Sequence, residues 1–257
     1  MQKDGWIETV QLEGRRAVQE ALKHDKPIDK LLVRKDADGS VTGTLKVIIA
    51  RAKERGIVVS MVEKAKLDSI AQSSNHQGVI ALCPAKDYVD VSDMLAAAAE
   101  KGEQPFLIVL DGITDPHNLG AILRTAEAGG AHGVIISKRR AVGLTGAVAK
   151  TSAGAIEHMP VAKVTNIART IEELKAAGVW VVCGDGSVDN GKNLLGADMK
   201  GAIALVIGAE GTGVSRLVRE KSDFSVYIPM LGHISSLNAS VAAGVMIYEV
   251  VRNRITR

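Results

Sequence analysis

Residues 228–245, IPMLGHISSLNASVAAGV, place two serines and an asparagine between two apolar stretches. The preceding run, Val226-Tyr227-Ile228-Pro229-Met230, has the β-branched and aromatic content of a strand end. The following Val241-Ala242-Ala243-Gly244 opens the longest helix candidate, Ser236 to Arg254. Ser235 or Ser236 as helix N-cap, with Asn238 in the first turn, explains the polar residues without a ligand. The same residues could equally line a site. The stretch GHISSLN lacks the Gly-x-Ser-x-Gly elbow, which argues against a hydrolytic serine.

Strands are expected upstream at FLIVLDG (106–112), GVIIS (133–137), VWVVCGD (179–185), AIALVIG (202–208) and SVYIPM (225–230). Several are near-continuous apolar runs, the signature of a parallel sheet covered by helices on both faces. Ligands in such sheets bind beyond the C-terminal strand ends, and two further polar stretches fall there. After FLIVL comes DGITDPHNLGAILRTAEAGG, where Asp115 or Asn118 can cap a helix running to Gly129, with Arg124 upon it. After AIALV comes IGAEGTGVS, whose Gly208, Gly211 and Gly213 do not follow the dinucleotide GxGxxG order. Glu210 in that turn would repel a phosphate, so a neutral or cationic ligand suits it better; a tight turn with a solvated acid is the plain alternative. A third glycine-rich stretch, GDGSVDNGKN (184–193), holds Gly186-x-x-x-x-Gly191-Lys192. It lacks the Ser or Thr that a phosphate loop needs after the lysine, and a surface loop is expected there.

The first 84 residues form a separate α/β unit. Helices are expected at GRRAVQEALKH and GTLKVIIARAKERG, strands at KLLVRK, IVVSMV and GVIALC, and a helical turn or two at LDSIAQ. Residues 85–104 read as a linker carrying its own short helix, VSDMLAAAAEKG, and residues 105–257 as the second domain. The formal net charge of +3 arises wholly within the first 85 of the 257 residues, a mild excess that permits a polyanionic partner. With 46% hydrophobic and 24% charged residues the chain reads as an ordinary soluble globular protein, and disorder is not expected. The N-terminus has no apolar leader and no apolar run reaches the ~18 residues of a membrane span. Cys83 and Cys183 stand apart and form no metal cluster or disulfide framework, so a reducing, cytoplasmic compartment is expected.

Taken in order, DPHNLGAILRTAEA, LVIGAEGTGVS and IPMLGHISSLNASVAAGV resemble the three signature motifs of the SpoU (TrmH-type) RNA 2'-O-ribose methyltransferases of the SPOUT superfamily. The resemblance runs from about Phe106 to the end. EGRRAVQEAL and NHQGVIAL in the first third resemble the ribosomal-protein-like substrate-binding domain that some members carry, which points to the 23S rRNA guanosine-2'-O-methyltransferase branch. A tRNA ribose methyltransferase and a non-catalytic RNA-binding relative are the alternatives.

The resemblance implies a trefoil-knotted α/β methyltransferase domain, S-adenosylmethionine (SAM) as methyl donor and no metal. It also implies a homodimer in which the last helix packs on its partner through a small-residue surface including Ala239, Ala242, Ala243 and Val250. By motif position, Gly208, Ala209, Ile228, Met230 and Leu237 would contact SAM, and Asn118, Arg124, Glu210, Ser236 and Asn238 would be catalytic. An arginine is effectively always protonated. Arg124 is therefore expected to stabilise the developing alkoxide and orient the neighbouring phosphate, with Glu210 orienting Arg124 and Ser236 and Asn238 completing the hydrogen-bond set. Arg15, Arg16, Arg34, Lys35, Arg51 and Lys53 are the candidates for anchoring RNA phosphates.

Overall fold

A computed structural model describes residues 11–35, 41, 43–71, 73, 75–184 and 191–255. The chain divides into two compact units, residues 1–87 with 143–146, and residues 88–142 with 147–257.

The first unit contains β1 (Gln11–Glu13), α1 (Arg15–Lys23), β2 (Lys30–Arg34), α2 (Thr44–Glu54), β3 (Val58–Val62), α3 (Lys64–Ile70) and β4 (Val79–Leu82). Its sheet has the order β1-β4-β2-β3, parallel between β2 and β3 and antiparallel elsewhere. Strand alternation sorts the side chains to two faces. Leu31, Val33, Val79 and Ala81 pack with Val18 and Leu22 of α1 and Ile48 and Ala52 of α2. Leu32 and Ile80 point the other way, against Leu67 of α3. The expected elements are all present, and β1 is an addition that its three residues are too short to announce.

The second unit begins with α4 (Val91–Glu100), capped by Asp90 and Asp93 in a reciprocal capping box. This is the helix expected within a linker. It belongs to the second unit, because Met94 and Ala98 are apolar one turn apart and Met94 seats against the unit's core and Gly133. The other elements are β5 (Phe106–Asp111), α5 (Pro116–Ala128), β6 (Gly133–Ser137), α6 (Gly146–Thr151), α7 (Ala155–His158), β7 (Val161–Val164), α8 (Ile167–Ala176), β8 (Trp180–Gly184), β9 (Lys192–Asn193), β10 (Ile203–Gly208), α9 (Arg216–Lys221), β11 (Phe224–Tyr227) and α10 (Ala239–Ile255). Every strand pairing in its sheet, β7-β6-β5-β10-β8-β11-β9, is parallel. Leu107 and Val109 of β5 and Ala204 and Val206 of β10 face a core shared with Ile171 and Leu174 of α8. On the opposite face α10 packs against α5 and β10, with Ile247 pressed on Gly129. Most of the glycine-rich stretch considered as a phosphate loop, residues 185–190, lies outside the described residues. Lys192 and Asn193 form the edge strand β9, and only a single tight turn, Leu194–Gly196, follows.

One buried histidine joins the sheet to its surroundings. His132 accepts the Phe106 backbone N–H at Nδ1 (3.0 Å), so Nδ1 carries no proton, and Nε2 donates to Glu103 (3.0 Å). Burial lowers its pKa against the opposing pull of Glu103. A depressed histidine pKa means that the folded chain binds fewer protons than the unfolded one. The contribution is then complete above about pH 6.5, the unfolded value, and is lost as pH falls from there through the depressed native pKa. NMR titration of the His132 imidazole is expected to give a midpoint below about 6.5; a higher one would mean that the Glu103 carboxylate outweighs burial.

Candidate active site

Three loops converge beyond the C-terminal ends of β5, β10 and β11. At the end of β5, Asp111 accepts the Ser215 backbone N–H (2.8 Å) at the start of α9, tying the β5 end to the glycine turn after β10. Asp115 caps α5 by accepting the His117 N–H (3.0 Å), and Pro116 occupies the first turn, where its missing N–H costs nothing. With the cap supplied by Asp115, Asn118 is free to turn inward, and it is buried.

The turn after β10 folds back upon its own strand. Ala209 and Gly213 form an isolated antiparallel bridge, and the Gly213 N–H donates to the Ala209 carbonyl (2.9 Å). Gly211 and Gly213 adopt φ of +78° and +64°, the left-handed region open to glycine. Glu210 is thereby held at the apex of the turn.

The third loop answers the question raised by residues 228–245. Helix α10 begins at Ala239, and Asn238 is its cap. Its carbonyl accepts from Ala242 N (2.9 Å), and its Oδ1 accepts from Ser240 N (2.9 Å), Ser240 Oγ (2.6 Å) and Val241 N (3.3 Å). The expectation of Ser235 or Ser236 as cap is therefore corrected. The amide end of Asn238 does other work. Nδ2 donates to Asn118 Oδ1 (3.0 Å) and to Glu210 Oε1, while Asn118 Nδ2 donates to the same Glu210 oxygen (3.2 Å). A closed triangle results, built from residues 118, 210 and 238, and the Ala239 N–H adds a further bond to Glu210 Oε1 (3.2 Å).

The triangle lies beside a cleft of about 870 Å³. Gly208, Ala209, Ile228, Met230 and Leu237 line it, as do Glu210, Ser236 and Asn238. Arg124 does not. It is exposed and, among the described residues, makes no hydrogen bond or ion pair. Glu210 therefore orients the two asparagines, not Arg124, because α5 turns Asn118 inward and Arg124 outward. Ser236 is exposed and, among the described residues, unbonded. The sequence reading missed Arg219, Ala242 and Met246 as cleft residues and Asp111 as the tie between loops. Asp111 had a signal, being the first polar residue after an apolar strand; the others had none. Among the described residues no group of His, Cys, Asp and Glu is placed to hold a metal ion, and no helix is long and apolar enough to cross a membrane.

A family model described as the SpoU rRNA Methylase family matches residues 105–248. The chain belongs to this family. A second model, described as RNA 2'-O ribose methyltransferase substrate binding, matches residues 11–89. Together they make the chain an RNA 2'-O-ribose methyltransferase of the TrmH/SpoU type. A Bacillus subtilis relative, YacO, named for the TrmH family of tRNA/rRNA methyltransferases, is 51% identical over 241 residues, 94% of each chain. A Staphylococcus aureus relative of the same description is 48% identical, covering 96% of this chain and 98% of its own. Among solved structures, the SpoU methyltransferase AviRb from Streptomyces viridochromogenes, in complex with AdoMet, matches with a TM-score of 0.58 at 25% identity, over 96% of this chain and 91% of that one. An AdoMet-bound rRNA methyltransferase from Sinorhizobium meliloti matches with a TM-score of 0.59 at 25% identity, over 97% and 89%.

Proposed function

We propose that this protein transfers the methyl group of SAM to a ribose 2'-hydroxyl of structured RNA in the cytoplasm, its target a guanosine of 23S rRNA. The observation that carries the reading is the Asn118–Glu210–Asn238 triangle at the edge of the cleft. The residues present suit SAM. Glu210 sets a carboxylate where a phosphate would be repelled and a sulfonium welcomed. Ile228, Met230 and Leu237 offer apolar cover, and the backbone at Gly208 and Ala209 offers close polar contact. SAM supplies an electrophilic methyl on a leaving thioether, and no metal is needed.

The chain's part is chiefly to orient. Holding hydroxyl and methyl in attack geometry is worth about 7–11 kcal/mol. The triangle locks both asparagine amides in known orientation, Asn118 by giving and receiving one bond each and Asn238 by using both ends. Ser236 and Arg124 are exposed and make no hydrogen bond among the described residues, and both are proposed to meet the RNA; the Arg124 charge suits a phosphate or the developing oxygen charge. Arg15, Arg16, Arg34, Lys35, Arg51 and Lys53 belong to the unit matched by the substrate-binding model and are proposed to anchor the RNA backbone. The functional division proposed is 1–84 for RNA and 105–257 for catalysis, with 85–104 joining them and its helix α4 packed into the core of the second unit.

The homodimer is supported by an exposed apolar stripe on α10, Val241, Val245, Tyr248 and Ile255, continued by Leu231 and Ile234. Of the small residues expected at that interface, Ala239, Ala243 and Val250 are buried within their own unit and Ala242 is half-buried, so the exposed stripe is the surface proposed for the partner. The trefoil passage is supported by strand order, since β11 enters between β8 and β9 after β10 has already crossed to the other side of β8.

The test is methyl incorporation from labelled SAM into 23S rRNA fragments and, in parallel, bulk tRNA. Labelling of a 23S guanosine is expected, with Arg124→Ala lowering kcat about 100-fold or more. Labelling of tRNA alone would keep the chemistry and replace the substrate. No labelling of either would overturn the reading.

A further inference from the structure

The two carboxylate oxygens of Glu210 differ in their surroundings. Oε1 accepts from Asn118 Nδ2, Asn238 Nδ2 and Ala239 N. Oε2 has no hydrogen-bond partner among the described residues, although the residue is exposed and lines the cleft. Donors converging on one oxygen fix the plane of the carboxylate, so the other oxygen is presented in a set direction. Among the described residues that line the cleft, Glu210 and Arg219 are the ionisable ones, and an arginine stays protonated. Thr212, Ser235 and Ser236 can pass a proton along but not keep it. Arg124 neither lines the cleft nor is a base.

We propose that Oε2 of Glu210 is the proton acceptor in methyl transfer. The inference rests on the reading of the cleft given above. A lone pair of the ribose 2'-oxygen forms the O–CH₃ bond as the S–CH₃ bond breaks. The electrons of that bond stay on sulfur, which leaves as a neutral thioether. The hydroxyl proton passes to Oε2, converting carboxylate to carboxylic acid, and solvent takes it afterwards. A carboxylate is too weak a base to strip a ribose hydroxyl in advance. As the oxygen bonds to the methyl it acquires oxonium character and its proton becomes strongly acidic, so late transfer matches the strength of this acceptor. The arrangement also explains why Oε1 alone carries the positioning bonds.

Glu210→Gln separates proton transfer from positioning, because the amide oxygen can still accept every bond made to Oε1 while an NH₂ replaces Oε2. The expected result is a fall in kcat of about 10²–10⁴-fold. Calorimetric affinity for S-adenosylhomocysteine, a neutral probe, should stay within about threefold, and the unfolding midpoint should hold. The loss should fall on kcat, with the KM for RNA near the wild-type value, because the positioning bonds to Oε1 persist. Activity within about tenfold of wild type would overturn the proposal. Weakened S-adenosylhomocysteine binding in step with lost activity would assign Glu210 a purely structural part and overturn it too. An active wild type with an active Glu210→Gln defeats this inference alone, whereas a wild type that methylates no RNA defeats it together with the proposed function.

Discussion

Gly208→Ala is expected to abolish measurable binding of S-adenosylhomocysteine, a loss of about 100-fold or more in affinity. A Cβ at position 208 would fall within 2.5 Å of the Gly213 carbonyl oxygen and closer still to Gly213 C and Val214 N. These are backbone atoms and cannot swing aside as the end of a side chain would. The turn is also pinned, by the Gly213–Ala209 hydrogen bond and by Asp111 on Ser215 N. Relief therefore requires the whole turn to lift from β10. Glu210 rides on that turn, so its bonds to Asn118, Asn238 and Ala239 would go as well. Overpacking of this kind costs about 1–3 kcal/mol of stability, which urea unfolding would register alongside calorimetry. Retained affinity would mean that the turn is not a wall of the binding site. The same contact gives the glycine order a physical reason: Gly208 is small because a backbone crosses it, and Gly211 and Gly213 are glycines because the turn runs through positive φ.

Much of this architecture was legible in the chain. Apolar runs such as FLIVL and IALVI are buried on both faces, which only a covered parallel sheet achieves, and they became β5 and β10. The short β7, VAKV, was not among the strands read from sequence, because four residues with a lysine carry too little periodicity. Boundaries were legible to within a turn, and the start of α10 shows why not better. Ser235, Ser236 and Asn238 are near-equal helix caps by intrinsic preference. The choice falls to Asn238 because its amide also reaches Glu210 and Asn118, residues 28 and 120 positions away. The pairing of Glu210 with Arg124, expected from the mechanism built on the resemblance, is absent among the described residues for a similar reason. Motif residues share a neighbourhood, but which pairs bond is decided by the pitch of α5, and that pitch turns Asn118 inward and Arg124 outward. The face of α10 was also ambiguous from sequence, since alanine and valine suit an internal packing surface and an external one equally.

Asn238 performs two tasks with opposite ends of one amide, and Asn238→Asp separates them. Aspartate keeps the acceptor oxygen for Ser240 N and Val241 N, caps as well as asparagine does, and adds a charge that the helix N-terminus favours by about 0.3–1 kcal/mol. It cannot donate. In place of the bonds from Nδ2, a second carboxylate would face the Asn118 carbonyl oxygen and the Glu210 carboxylate. Two carboxylates sharing one site cannot both ionise without cost, so one pKa rises. The expected result is a helix that persists and an unfolding midpoint close to wild type, but kcat about 10²–10³-fold lower at neutral pH. Mild acid should recover part of the interaction between positions 210 and 238, because a shared proton restores one donor, and an NMR titration of the two carboxyls would show their coupling. Asn238→Ala lacks both ends of the amide and should lose about 1 kcal/mol of capping as well as activity. If Asn238→Asp instead methylates at the wild-type rate, the residue is a helix cap and the triangle contributes nothing to catalysis. If it folds and fails, residues 228–245 both start a helix and hold the chemistry in place, with the boundary between the two tasks running through the amide of a single side chain.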